Sequence, residues 1–145
     1  MLAKEILHAG IQAAIAREIA DAETRTSGEI CIHAEDFCAS EAYDRAIKVF
    51  QELGLHKTEL RNAVMIYIAV HDRKLAIIGD KGIHDWIHDE GWQHLRDALS
   101  NAFAKGNYKE GLTSVIHAIA DSLAEHFPAY GQIKNELSNS ISFPE

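Results

Sequence analysis

The chain predicts an α/β fold: a three-layer α/β/α sandwich on a small mixed sheet, with helices on both faces. Three observations predict it. Glu29 to Ala34 alternates, with Ile30, Ile32 and Ala34 on one side and Glu29, Cys31 and His33 on the other, which is strand periodicity. Ala63 to Val70 is an almost continuous apolar run, as in a strand covered on both faces. Segments with apolar residues at helical spacing precede, separate and follow these strands.

The elements follow in order. Leu2 to Ala22 reads as a helix, with Ile11, Ile15, Ile19 and Ala22 recurring on one face. Thr24-Arg25-Thr26-Ser27-Gly28 breaks it before the first strand. A second helix spans about Ser40 to Leu53, with Ser40 as its expected N-cap and Tyr43, Ala46, Ile47, Phe50 and Leu53 as its stripe. Gly54 to Arg61 is a polar loop into the central strand. His71-Asp72 is short enough for a hairpin turn into a third strand, Arg73–Ile78. Gly79-Asp80-Lys81-Gly82 then forms a glycine-flanked turn at that strand's end. Two helices close the order, about Glu90 to Phe103 and Tyr108 to Phe127, divided by Gly106-Asn107 and ended by Pro128. The expected organisation is one domain over residues 1–130 and a polar, loose tail over 131–145.

Composition narrows the function classes. The 145 residues are 47% hydrophobic and 25% charged, enough for a buried core without staples. With 22 acids and 14 bases the net charge is −8, which argues against nucleic acid or an anionic membrane surface as partner. Cys31 and Cys38 suggest no disulfide framework. The first residues lack a basic segment followed by an apolar one, and no apolar run approaches the ~18 residues of a membrane span. A cytoplasmic location is the expectation.

Topology sorts the polar residues. The first two strands form a right-handed parallel unit and the third returns antiparallel. The starts of the first two and the finish of the third therefore share one rim, carrying Thr26 to Glu29, Arg61-Asn62 and Gly79 to Gly82. Carboxylate, amide and backbone oxygens suit calcium or magnesium. The expected metal ligands are Glu29 and Asp80, with Asp85 or Asp89 supplementary and Asn62 an orienting amide. Thr26, Asn62 and Lys81 are the candidate binding residues. With Lys57, Lys81 and a bound metal, the same rim could hold a phosphate ester, and Asp80 is then the candidate catalytic residue. A protein partner for the acidic surface is the remaining alternative. The other rim receives Glu35, Asp36 and His71-Asp72. His84, His88 and His94 read as solvated or capping groups rather than a zinc site, and Trp86 and Trp92 as packing residues.

At these residues the chain resembles the TPM domain family of thylakoid, phosphatase and membrane-associated members. The matching pieces are Thr26-Ser27-Gly28-Glu29-Ile30, Arg61-Asn62-Ala63-Val64-Met65-Ile66-Tyr67, Asp72-Arg73-Lys74 with Gly79 and Gly82, and Gly106-Asn107-Tyr108-Lys109-Glu110-Gly111-Leu112. Together they cover about residues 5–127. The resemblance implies an α/β/α sandwich and, for some members, divalent metal binding and acid phosphatase activity; others are accessory factors in maintaining membrane complexes. Glu29, Asn62, Asp72, Arg73 and Asp89 match the family's polar pattern. Many members carry a signal peptide and a membrane anchor, which this sequence does not show. The family usually reads Gly-Tyr-Gly-Leu-Glu where this chain has Gly79 to His84, so a family Glu is missing and Asp80 is added.

Overall fold

The computed structural model describes residues 2–84, 86–87, 89–129 and 137–144. Its order is α1 (Ala3–Ile6), α2 (Ala9–Glu23), β1 (Glu29–Glu35), α3 (Ala42–Glu52), a 3-10 turn (Leu55–Lys57), β2 (Ala63–Ala69), β3 (Lys74–Gly79), α4 (Lys81–His84), α5 (Asp89–Ala104) and α6 (Tyr108–His126). The sheet runs β1-β2-β3. β1 and β2 are parallel, with Glu29 opposite Ala63. β2 and β3 are antiparallel, with Val64 opposite Gly79. This is the mixed sheet that the alternation and the apolar run predict.

Strand parity divides the core into two layers. Ile30, Ile32, Val64, Ile66 and Ile77 join the cluster that contains α2, α5 and α6 residues such as Ile15, Leu99 and Ile116. Cys31, Met65, Tyr67, Ala76 and Ile78 join the cluster of Ala46, Val49 and Phe50 from α3. Every residue of β1 and β2 is buried, so alternation in β1 marks two covered faces and not one wet face. Trp92 is buried in the larger layer, whereas Trp86 is 58% exposed and stacks on His126 at 4.6 Å.

Several boundaries differ from the sequence expectation. The first helix is two. His8 adopts an extended backbone and its Nδ1 accepts from Ile11 N, which caps α2. The break lets Leu7 reach the core fully buried, and its carbonyl accepts from Gln12 Nε2 at 2.7 Å. Ser40 is not the cap of α3. Glu41 holds that position, and the Ser40 carbonyl accepts from Lys74 Nζ at 2.8 Å instead. Arg73 belongs to the hairpin turn and not to the strand: its φ is 53°, so pairing starts at Lys74.

The outer edge of β1 is closed. Glu23 Oε2 accepts from Ile30 N at 3.0 Å. In the segment expected to be loose, Ile141 is buried and Ser142 pairs with β1, donating to Ile32 O and accepting from Ala34 N, both at 2.9 Å. Pairing an edge strand in this way removes a template for aggregation.

Gly82 fixes how α4 lies against the β2 approach. Its N–H donates to Arg61 O at 2.9 Å. A Cβ there would stand 2.5 Å from Arg61 O and 2.6 Å from Leu60 O, both backbone atoms. Gly82→Ala is therefore expected to destabilise the fold by about 2–3 kcal/mol, an overpacking cost, read as a lower urea midpoint at unchanged m-value.

Candidate functional site

The three strand termini meet as topology requires. Asp80 N donates to Ala63 O at 2.9 Å, and Ala63 is the register partner of Glu29. Glu29 and Asp80 thus flank Ala63 along one row, two strand spacings or about 10 Å apart at the backbone. Asn62 precedes Ala63, and its carbonyl accepts from Glu29 N at 3.3 Å. All three side-chain positions are buried: Glu29 is 3% exposed, Asn62 2% and Asp80 6%.

Asp80 is held on both oxygens. Arg61 Nε donates to Oδ2 at 2.6 Å and Nη2 to Oδ1 at 2.8 Å, a bidentate charge-assisted pair. The Lys81 N–H adds a third bond to Oδ1 at 2.8 Å. Arg61 itself has φ 53°, a conformation that costs a non-glycine residue energy and is kept only where surrounding contacts fix it. Those contacts are Gly82 N on its carbonyl and Thr58 O under its N–H at 3.3 Å.

Other expected residues divide. Thr26 is 1% exposed and spent inside the fold: its hydroxyl donates to Phe127 O and accepts from Gly28 N, joining the start of β1 to the end of α6. Lys81 is exposed and lines a cleft of about 240 Å³ with His56, Arg61, Asp80, Tyr43 and Phe50. Asp89 starts α5, its side chain beyond what the structure describes, and Asp85 and His88 lie outside the described residues. Among the described residues, no three His, Cys, Asp or Glu side chains stand together as a metal-holding group.

Buried polar atoms nonetheless accumulate at this end. Thr58 Oγ1, Asn62 Nδ2 and His56 Nδ1 have no hydrogen-bond partner among the described residues. Thr58 and Asn62 are 4% and 2% exposed; an unsatisfied buried group calls for an explanation such as a bound ion or water, and of these atoms the Thr58 hydroxyl can face a cation whereas Asn62 Nδ2 is a donor that asks for an acceptor. The oxygen donors here are two carboxylates, one amide and one hydroxyl, which are hard ligands of the kind calcium and magnesium take. The set fits a hard cation in kind. It is not an open cage, because Arg61 already occupies Asp80.

At the opposite rim, which the sequence placed at Glu35, Asp36 and His71-Asp72, Glu35 is the centre of a network whose other members the sequence did not reveal. Glu35 accepts from Arg45 Nε at 3.1 Å and from Arg45 Nη2, from Tyr67 Oη at 2.6 Å, and is linked to His33 Nε2 at 3.1 Å. His33 Nδ1 meets Ser142 Oγ at 2.8 Å. Burial alone would raise the Glu35 carboxyl, but the bonds from Arg45, Tyr67 and His33 outweigh it and hold the pKa at about 2. Burial lowers His33, so its imidazole is neutral near pH 7. A cleft of about 560 Å³ beside this network is lined by Glu35, Asp36, Cys38 and Arg45. Asp36 and Asp72 are engaged too, accepting from Ala3 N at 2.5 Å and Cys38 N at 2.6 Å.

Cys31 shares a strand face with His33, yet its thiol is held protonated. Burial, then Glu23 and Glu29, push its thiol up to about 12, and His33 is turned to Glu35 and Ser142. A thiol that stays protonated is unreactive.

This architecture, two parallel strands with a returning third between helical layers, defines a three-layer α/β/α sandwich. The TPM domain family model matches residues 3–122, and the chain belongs to that family. Among solved structures it is similar to the BA42 protein of the psychrophilic bacterium Bizionia argentinensis, with 41% identity and a TM-score of 0.86 over 94% of each chain. It is also similar to the N-terminal domain of a P. gingivalis protein, at 16% identity and a TM-score of 0.71 over 89% of this chain and 85% of that one. The N-terminal domain of the Corynebacterium glutamicum protein cg2496 matches at 12% identity and a TM-score of 0.62, over 89% and 81%. These last two likenesses concern the fold alone. No curated protein matches the chain. No helix among the described residues is long and apolar enough to cross a membrane.

Glu23 gives this end of the sheet a titration of its own. Burial raises its carboxyl to about 7, with the Ile30 N–H opposing and Glu29 adding to the rise. The folded state therefore binds a proton that the unfolded state releases between pH 4.5 and about 7. Stability from this group is intact below pH 4.5 and falls as pH rises through that window. Glu23→Gln keeps an acceptor for Ile30 N and removes the titration. It is expected to stabilise at pH 8 by on the order of 2–3 kcal/mol, with the gain gone by about pH 4.5, as thermal melts across pH would show.

Proposed function

We propose that this TPM domain binds a divalent cation, calcium first and magnesium second, at the strand end of Glu29, Asn62 and Asp80. One observation carries the reading. Glu29, Asn62 and Asp80, from three separate strand termini, are each buried at this end of the sheet, where the buried Thr58 hydroxyl has no partner among the described residues. The chain's net charge of −8 favours cations over anions in the surrounding field. Asp85 and Asp89 remain the supplementary ligands of the proposal. An ion at this place would be held by Glu29 and Asp80, oriented through Asn62, and would neutralise carboxylate charge.

A calcium titration of ¹⁵N-labelled protein followed by NMR tests this. Amide shifts clustered at residues 28–30, 58–63 and 79–82, lost in Asp80→Asn, are the expected result. Shifts clustered at residues 35–40 and 71–72 would move the site to the other rim. No shift at about 10 mM calcium, beyond the weakest protein sites, would remove the reading.

A second reading, hydrolysis of phosphate monoesters, is favoured by the cleft that Arg61 and Lys81 line together with Tyr43 and Phe50. Cationic groups and aromatic side chains in one cleft suit an aryl phosphate. A bound metal would supply charge neutralisation of the phosphate, while Asp80 orients water. Purified protein should then turn over an aryl phosphate with added magnesium, and Asp80→Asn should reduce the rate by at least about 100-fold. An unchanged rate in that variant would sink the hydrolase.

A further inference from the structure

We propose that the outer edge of β3 docks an extended acidic segment of a partner protein, which adds to the sheet as a further strand.

The two edges of the sheet are treated differently. On β1 the outward backbone groups of Ile30, Ile32 and Ala34 are bonded by Glu23 and Ser142. β3 forms the other edge. Asp80 N donates to Ala63 O. Alternation along the antiparallel register then turns the backbone groups of Ile78, Ala76 and Lys74 toward β2, and those of Gly79, Ile77 and Leu75 outward. Among the described residues, no backbone hydrogen bond reaches the outward groups of these three. An unbonded row of this kind is a template for strand addition.

The faces of β3 are already covered. Leu75 and Ile77 pack in the layer of α5, Ala76 and Ile78 in the layer of α3. A partner therefore enters along the edge, where two clefts open. One of about 410 Å³ lies beside Lys74 and Leu75, between Ala42 of α3 and Arg96 of α5. The cleft of about 240 Å³ lies beside Ile78 and Gly79, under Tyr43 and Ile47 of α3. Those two side chains are 42% and 37% exposed and offer apolar contact to alternate residues of an added strand. Ile77 lies between the clefts and is 4% exposed. Nearly buried backbone groups without partners gain most from an added bond.

Charge names the occupant. Arg73, Lys74 and Arg96 outnumber Glu41 and Asp97 around the first cleft, and Arg61 and Lys81 outnumber Asp80 around the second. This edge is basic in a chain whose net charge is −8. Arg73, Arg96 and Lys81 form no salt bridge among the described residues. A second copy fits poorly. Two β3 strands paired antiparallel about a two-fold axis would set Arg73 and Lys74 of one copy against Lys81 of the other, and like charges across a strand pair repel. Acidic ends on a foreign strand reverse that sign.

A synthetic peptide of alternating valine and threonine, with glutamates at both ends, tests this on ¹⁵N-labelled protein. Amide shifts are expected at residues 74–80, with hydrogen exchange at Leu75, Ile77 and Gly79 slowed by at least about tenfold at saturation. With lysines at its ends the peptide should bind at least about tenfold more weakly. N-methylation along its pairing edge should abolish binding. Arg96→Gln should weaken the glutamate-ended peptide by about three- to tenfold. Equal affinity for the lysine-ended or the N-methylated peptide would overturn the assignment, as would an absence of shifts at about 1 mM peptide. Dimerisation of the chain alone, protecting the same three amides, would also overturn it and give the edge to a second copy. None of these outcomes touches the cation reading.

Discussion

A three-stranded sheet covered on both faces denies water to the carboxylates at its strand ends, and each of them has to be answered from inside the fold. An unanswered buried charge costs several kcal/mol, more than a domain of this size can lose repeatedly. The chain meets the constraint with the same device at opposite ends. Arg61 holds Asp80 at one rim and Arg45 holds Glu35 at the other, each through a two-pronged guanidinium. Glu23, with no such partner, yields instead by taking up a proton near neutral pH.

The two arginine pairs differ in what surrounds them. Glu35 gathers Arg45, Tyr67 and His33, and the network runs on to Ser142, which also closes the edge of β1. Every group there has a partner, and Glu35 is held ionised down to about pH 2. Such a knot fixes the register of the edge strand and has no reason to open. Around Asp80 the arginine is 35% exposed, and nearby along the chain the buried Thr58 Oγ1 and Asn62 Nδ2 lack partners among the described residues. Polar atoms left unsatisfied beside a satisfied ion pair mark the place where the fold has not been optimised for stability alone.

The layers were legible in the sequence because period-2 alternation marks β1 as a strand with two distinct faces and the apolar run of β2 marks one covered on both. The order of strands was legible because a short link, Val70 to Arg73, cannot cross a sheet and therefore fixes β3 as antiparallel. From those two facts Glu29, Asn62 and Asp80 had to share a rim. What could not be read was the partner of each acid. Arg61 lies 19 positions from Asp80 and Arg45 lies 10 from Glu35, and no pattern along the chain ties them. Nor did polarity near the C-terminus reveal that Ile141 fills the core and Ser142 extends the sheet. One apolar residue and one backbone bridge suffice for docking, and neither alters local composition. The break at Leu7–His8 was hidden for a similar reason: His8 caps through its ring nitrogen, a role that residue type alone does not announce.

Glycine placement links the two kinds of constraint. Gly82 brings the α4 backbone within a hydrogen bond of Arg61 O, at a distance no side chain would allow. That contact holds Arg61 at φ 53°, and the left-handed turn starts its side chain toward the end of β3. The Gly79-Asp80-Lys81-Gly82 turn thus does more than present a carboxylate. Its second glycine positions the cation that answers its aspartate, so acid and counter-charge are set by four consecutive residues and the backbone they touch. Because the arginine is held at its backbone and its fork engages both carboxylate oxygens, the pair keeps Asp80 buried while the arginine side chain itself stays 35% exposed.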